Sequence, residues 1–216
     1  MSIVSTNHIR RFTCLLLLAA LCAPLIAQTL LQQDALQKYR EGKFEEARQI
    51  CMAEIEATPD NIESYVVLGW SLISLRRYAD AELYASKAYN TVRRDPRIIE
   101  ILGEAAYYQG KNQEAIRHFT NYINQLPDGS RIGTVYYFLG EIYLKQDKLN
   151  HADIAMRTAL QYEPNNARWW SRLGFIREQQ NDWQNALQAY QEALKISPAL
   201  NDALLGRDRA NEKLRG

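Results

Sequence analysis

Cysteine is scarce in this 216-residue chain and badly placed for a structural role: the three are Cys14, Cys22 and Cys51, and the first two stand within the N-terminal 27 residues. If that segment is removed, Cys51 alone is left and no internal disulfide can form. Histidine is equally sparse. His8, His118 and His151 have neither metal-ligand spacing nor an adjacent Glu motif, so no metal site is expected. The ten glycines are scattered and build no phosphate-cradling loop, and no Ser or Cys sits in a nucleophile motif. These absences argue against an enzyme and against a bound cofactor. Neither sign of charge is in excess: 26 Lys and Arg face 25 Asp and Glu, a formal charge of +1, which gives no global field to attract nucleic acid. The basic pairs Arg76-Arg77 and Arg93-Arg94 read as solvated faces near helix ends.

Long apolar runs are also missing, with one exception at the start. Arg10-Arg11 leads into an apolar stretch from Phe12 to Ile26, 15 residues long, where a bilayer span needs about 20. This is the pattern of a signal peptide over residues 1–27, with Ala27 as the small residue at the cut, although Leu25 fits the third position before it less well than alanine. Retained uncleaved, residues 12–26 would associate the chain with a membrane. Lipidation at Cys22 would require a small residue before it, and Leu21 is large. Cleavage lowers the basic count from 26 to 24 against 25 acids, a net of about −1.

What the chain does have is a repeat. With Ala167 as position 1, the stretch to Leu200 places Trp170 at 4, Leu173 at 7, Gly174 at 8, Trp183 at 17, Ala186 at 20, Tyr190 at 24, Ala193 at 27 and Pro198 at 32. The same frame finds Ala35, Gly69, Gly103 and Gly140 at position 8 and Ala47, Ala81, Ala115 and Ala152 at position 20. Position 20 recurs after 34, 34, 37 and 34 residues, so three residues, Ser130 to Ile132, are inserted between the third and fourth copies. The units are 28–61, 62–95, 96–129, 133–166 and 167–200. Small residues at 8 and 20 let two antiparallel helices approach, and apolar residues at 4 and 7 recur at helical spacing. Prolines at position 32 (Pro59, Pro127, Pro164, Pro198) end the second helix. Asn61 and Asn166 stand where they can cap the next one, and Ser130 is placed to cap an extended first helix of the fourth unit. Cys51 falls at core position 24. Residues 201–216 carry Ala203, Leu204, Ala210 and Leu214 among charges, one apolar edge of a closing helix.

The 34-residue period and these positions resemble the tetratricopeptide repeat. The resemblance covers residues 28–216. It implies an all-α, right-handed superhelical solenoid of five helix pairs plus a C-terminal capping helix, whose first helices line a concave groove at positions 2, 5, 9, 12 and 13. Transferred residue by residue, the groove would show Leu36, Tyr39 and Arg40; Val66, Trp70 and Ile73; Arg97, Glu100, Glu104, Tyr107 and Tyr108; Tyr137, Glu141, Leu144 and Lys145; and Arg168, Ser171, Phe175 and Glu178. The aromatic side chains suit the anchoring of a bound segment, since they give large contact area with few torsions to freeze. Glu100, Glu104 and Glu141 would favour a partner with basic residues between apolar ones. The competing reading makes Tyr39, Ile73, Tyr107 and Leu144 core residues and the glutamates merely solvated. Position 9 reads Leu36, Trp70, Glu104, Glu141 and Phe175, so the Asn-containing two-carboxylate clamp of cochaperone members is missing.

These observations converge on a noncatalytic protein-binding scaffold, exported to the periplasm or cell envelope, with a protein or peptide partner in the groove. In size and leader the chain resembles small bacterial repeat proteins such as the pilotins of type IV pili and the five-repeat lipoprotein of the barrel-assembly machinery, on architecture alone. The alternatives are a homo-oligomer that self-assembles without a peptide ligand, and an accessory subunit of a cell-wall enzyme complex.

Overall fold

The computed structural model describes residues 34–92 and 94–216. The leader, with Cys14, Cys22 and the apolar stretch 12–26, lies outside the described residues, as do residues 28–33 of the first repeat. Among the described residues there are eleven α-helices and no strand. The described residues divide into two compact units, 34–92 and 94–216.

In the first unit, α1 (Ala35–Arg40) pairs with α2 (Phe44–Ala57), α3 (Ile62–Ser74) pairs with α4 (Tyr78–Thr91), and α3 packs on both helices of the preceding pair. In the second unit, α5 (Pro96–Tyr108) pairs with α6 (Asn112–Gln125), α7 (Ile132–Lys145) with α8 (Leu149–Tyr162), and α9 (Ala167–Gln179) with α10 (Trp183–Ile196); α11 (Asn201–Arg215) closes the stack against α9 and α10. This is the all-α repeat architecture with its capping helix.

The turn inside every pair has three residues, and its middle residue is left-handed: Gly42, Arg76, Gly110, Asp147 and Asn181, with φ of 76°, 59°, 76°, 57° and 60°. The residue after it donates its N–H to the carbonyl five residues back, as from Lys43 to Lys38, Arg77 to Leu72 and Asp182 to Arg177. This closing bond satisfies carbonyls that the helix end would otherwise leave open.

The helix pairs close on the small positions. Ala47, Ala81, Ala115, Ala152 and Ala186 are all fully buried. Gly103 and Gly174 lie directly against the rings of Phe119 and Tyr190, so that a Cβ on either would come within 2.5 Å and 2.7 Å of ring carbons. Cys51 is buried, and burial pushes its thiol up to about 12, which keeps it protonated and unreactive. Asn61 and Asn166 cap α3 and α9, accepting from the backbone N–H groups of Ser64 and Trp169. Ser130 does not cap α7: of the inserted residues Ser130 and Arg131 form a turn, and Ile132 is the first residue of the helix. Leu214 is exposed rather than packed, while Ala203, Gly206 and Ala210 make the buried edge of α11.

Candidate functional site

First helices carry most of the burial. In α5 every residue from Ile98 to Ala106 is buried, and in α3 every residue from Ser64 to Gly69. A helix covered all round has no solvent face for a polar residue to use, and this corrects several expected groove positions. Val66 is 0% exposed and offers a partner no surface. Glu100, Glu104 and Glu141 are buried too, so the expectation that their charge would select a basic partner does not hold.

Their charge is answered inside the protein. Arg131 donates from Nε and Nη2 to Glu100 Oε1 at 3.0 and 2.8 Å, and its Nη2 also donates to Glu104 Oε1. Arg172 grips Glu141 with both oxygens, Nε to Oε1 at 2.5 Å and Nη2 to Oε2 at 2.9 Å. Arg209 does the same to Glu178 at 2.6 and 2.9 Å. In each case the arginine comes 31 residues after the glutamate. The three pairs therefore tie α5 to the residue preceding α7, α7 to α9, and α9 to α11, one rung per repeat. Fork-to-carboxylate geometry fixes both partners.

The rungs differ electrostatically. At Glu178, the Arg209 hydrogen bond holds the carboxyl below its ordinary range, and Tyr190 adds a hydroxyl donated at 2.6 Å. At Glu104 the balance runs the other way: burial and the neighbouring Glu100 raise its pKa well above the carboxylate norm, and Arg131 offsets only part of this. Two buried acids share one cation there, so a proton is retained more readily than in water. The insertion is what supplies that cation, because Arg131 is its middle residue.

Around the rungs lie the aromatic side chains. Tyr107 sits 4.8 Å from Phe138 and 5.1 Å from the exposed Tyr108, measured between ring centroids, with the Lys145 ammonium 4.2 Å above its ring. Tyr137 stacks on Trp169 at 5.1 Å with the planes 7° apart, and burial pushes its hydroxyl up to about 12. Phe175 is half-buried with the Arg172 guanidinium 5.0 Å above it. Thus Tyr107, Tyr137 and Phe175 contribute to packing while keeping part of their surface exposed.

In the first unit Leu36 is half-buried, and Tyr39 and Trp70 come together. Tyr39 packs between Phe44 at 5.5 Å and Trp70 at 5.8 Å, and the buried indole nitrogen of Trp70 has no hydrogen-bond partner among the described residues. Sequence reasoning placed the glutamates on the right helices but missed Arg131, Arg172 and Arg209. The 31-residue offset, close to the repeat length, is the signal that marks them.

Residues 133–166 and 167–200 each match a family model described as tetratricopeptide repeat. The fourth and fifth units are tetratricopeptide repeats. Among curated proteins, the chain is 25% identical to anaphase-promoting complex subunit 3 of Schizosaccharomyces pombe over 142 residues, 66% of this chain and 21% of that protein. The chain spans about a fifth of the length of the curated relatives it matches. Among solved structures, it superposes with a TM-score of 0.74 on a chain of the APC/C hetero-tetramer Cut9-Hcn1, at 22% identity over 82% of this chain and 35% of the other. A TM-score of 0.74 is also reached with Pseudomonas aeruginosa PilF, at 17% identity over 88% of this chain and 84% of that one. At such identities the likeness establishes the fold. Tetratricopeptide repeats generally mediate protein–protein interactions and are generally noncatalytic.

Proposed function

We propose that this chain is a noncatalytic adaptor of the cell envelope, exported by its N-terminal leader, which holds a segment of a partner protein on the first-helix face of residues 94–216. The observation that carries the reading is the set of part-exposed aromatic rings on successive first helices, Tyr107, Tyr137 and Phe175, each fixed by a stacking or cation contact. Rigid rings with free surface lose little freedom on binding and are typical anchors at interfaces. The basic Arg10-Arg11 pair and the apolar stretch after it support export.

Site-directed photocrosslinking in the native host tests the face. A photoreactive residue at position 175 is expected to capture a partner that one at Ile154, exposed on the second helix α8, does not. Equal capture from both positions would sink the assignment to the first-helix face, and capture only of a second copy of the chain would replace it with self-assembly. Export is tested separately by cell fractionation and by N-terminal sequencing of the mature chain: a start at Gln28 is expected, and a cytosolic chain beginning at Met1 would refute export.

A further inference from the structure

The rungs put guanidinium groups, not carboxylates, on the exposed side of the face. In the three rungs the arginine side chains are 38%, 35% and 49% exposed, at Arg131, Arg172 and Arg209, while the four carboxylates beneath them are exposed by 10% or less. A guanidinium has five N–H donors, and Arg172 and Arg209 each use Nε and Nη2 on their glutamate. The remaining donors point away from the fork, held in place by it. Between Arg172 and Arg209 lies a cavity of about 210 Å³, also bordered by Arg168, Ser171, Phe175 and Leu205. Arg168 is exposed and pairs with none of the described residues, and Leu205 is among the most exposed large apolar side chains of the unit. The one acid on the cavity rim is Asp202, in the first turn of α11, where the helix N-terminus offsets part of its charge.

Resting on the functional reading above, we infer that this face selects a protein segment that carries carboxylates between apolar residues, not the basic segment the sequence suggests. Arg168, with the spare donors of Arg172 and Arg209, receives a carboxylate, and Phe175 with Leu205 receives the adjoining apolar side chain. Pre-oriented guanidinium groups favour planar, two-oxygen acceptors. A formal charge of only +1 on the whole chain and an acid on the rim fit a peptide better than a polyanion.

The test is selection from an unbiased library of displayed 12-residue random peptides on the full chain, followed by affinity measurement of the enriched peptides against Arg168→Glu. That residue has no partner among the described residues to lose, and circular dichroism checks that the variant keeps its helices. Enrichment in Asp or Glu beside Phe, Leu or Trp, with affinity lowered about tenfold or more by Arg168→Glu and falling as salt rises, is the expected result. Enriched peptides that are basic or uncharged and still crosslink at position 175 would overturn the charge assignment and leave the binding face standing. Acidic peptides indifferent to Arg168→Glu would overturn it as well. If no peptide is enriched, or none crosslinks at position 175, the binding face itself fails. Displacement of the acidic peptides by a single-stranded oligonucleotide at equal concentration would replace a protein segment with nucleic acid.

Discussion

At Gly103 and Gly140 the same repeat position makes two different demands, set by the residue opposite. Gly103 faces the Phe119 ring, where a Cβ would lie 2.5 Å from a ring carbon, whereas at Gly140 the nearest atom is the flexible Met156 methyl at 3.4 Å. Gly103→Ala is expected to destabilise by about 1–3 kcal/mol through overpacking, and Gly140→Ala to be neutral or to stabilise by up to about 1 kcal/mol, since alanine is the better helix former. Chemical denaturation of the two variants side by side checks the contrast. The Glu100, Glu104 and Arg131 cluster makes a second prediction. A carboxyl whose folded pKa is raised contributes stability that is fully present below its unfolded value, ordinarily near 4.5, and lost as pH climbs through the folded value. Glu104→Gln abolishes that ionisation, so it should flatten the decline of stability above pH 4.5 and leave neutral-pH stability unchanged or higher. Arg131→Met should do the reverse, stranding two buried acids at a cost of about 3 kcal/mol at neutral pH. Melting curves between pH 4 and pH 8 separate them, and a Glu104→Gln variant with undiminished pH dependence would show that another group is responsible. The glutamates themselves were legible as first-helix residues. Their fate was not, because the repeat frame fixes the phase of a residue on its helix and does not show which later cation closes over it, Arg131 lying 31 positions after Glu100 and 27 after Glu104.

Among the elements, the three-residue turns show how much a period alone conveys. Position 15 is left-handed in all five pairs, yet only Gly42 and Gly110 have the residue for which that conformation is free. Asp147 and Asn181 tolerate it through their short polar side chains, and Arg76 has no such help. Arg76→Gly is expected to raise stability by up to about 1 kcal/mol, read as a shift in denaturation midpoint without a change in slope. The small residues at position 8 were legible for the opposite reason: they serve contacts within one pair, where Gly140 meets Ala152 twelve residues on and Gly103 and Gly174 meet Phe119 and Tyr190 sixteen residues on. Val66 was misplaced because a frame borrowed from outward-facing positions does not register that α3 is buried through Ser64 to Gly69. The insertion was recognised from its length, but Ser130 was credited with a cap that the structure does not form. What the three residues contribute is the Arg131 guanidinium over α5, a tertiary role that local propensity does not encode.

For the molecule, a repeat array gains its stability from neighbours, so damage at one end should stay near that end. Within residues 94–216 the closing helix gives the sharpest case. Tyr190 is pinned between Gly174 and Gly206, its hydroxyl donates to Glu178, and Glu178 is held in turn by Arg209 of α11. A chain ending at Leu200 loses Gly206 and Arg209 together. The Tyr190 ring is then uncovered on one side, and Glu178, the rung whose carboxyl is kept ionised by its arginine, is left with the tyrosine hydroxyl alone. Opening of α9 and α10 should become easier by about 2–3 kcal/mol, the scale of uncovering one large side chain, which corresponds to hydrogen exchange about 30- to 150-fold faster across residues 167–196. Exchange in α5 and α6, two repeats away, should change far less, because α11 packs on α9 and α10. Uniform acceleration from α5 to α10 would mean that the unit opens all at once and that the pairwise rungs do not set its local stability; acceleration confined to the last pair would show that each rung secures the repeat it closes.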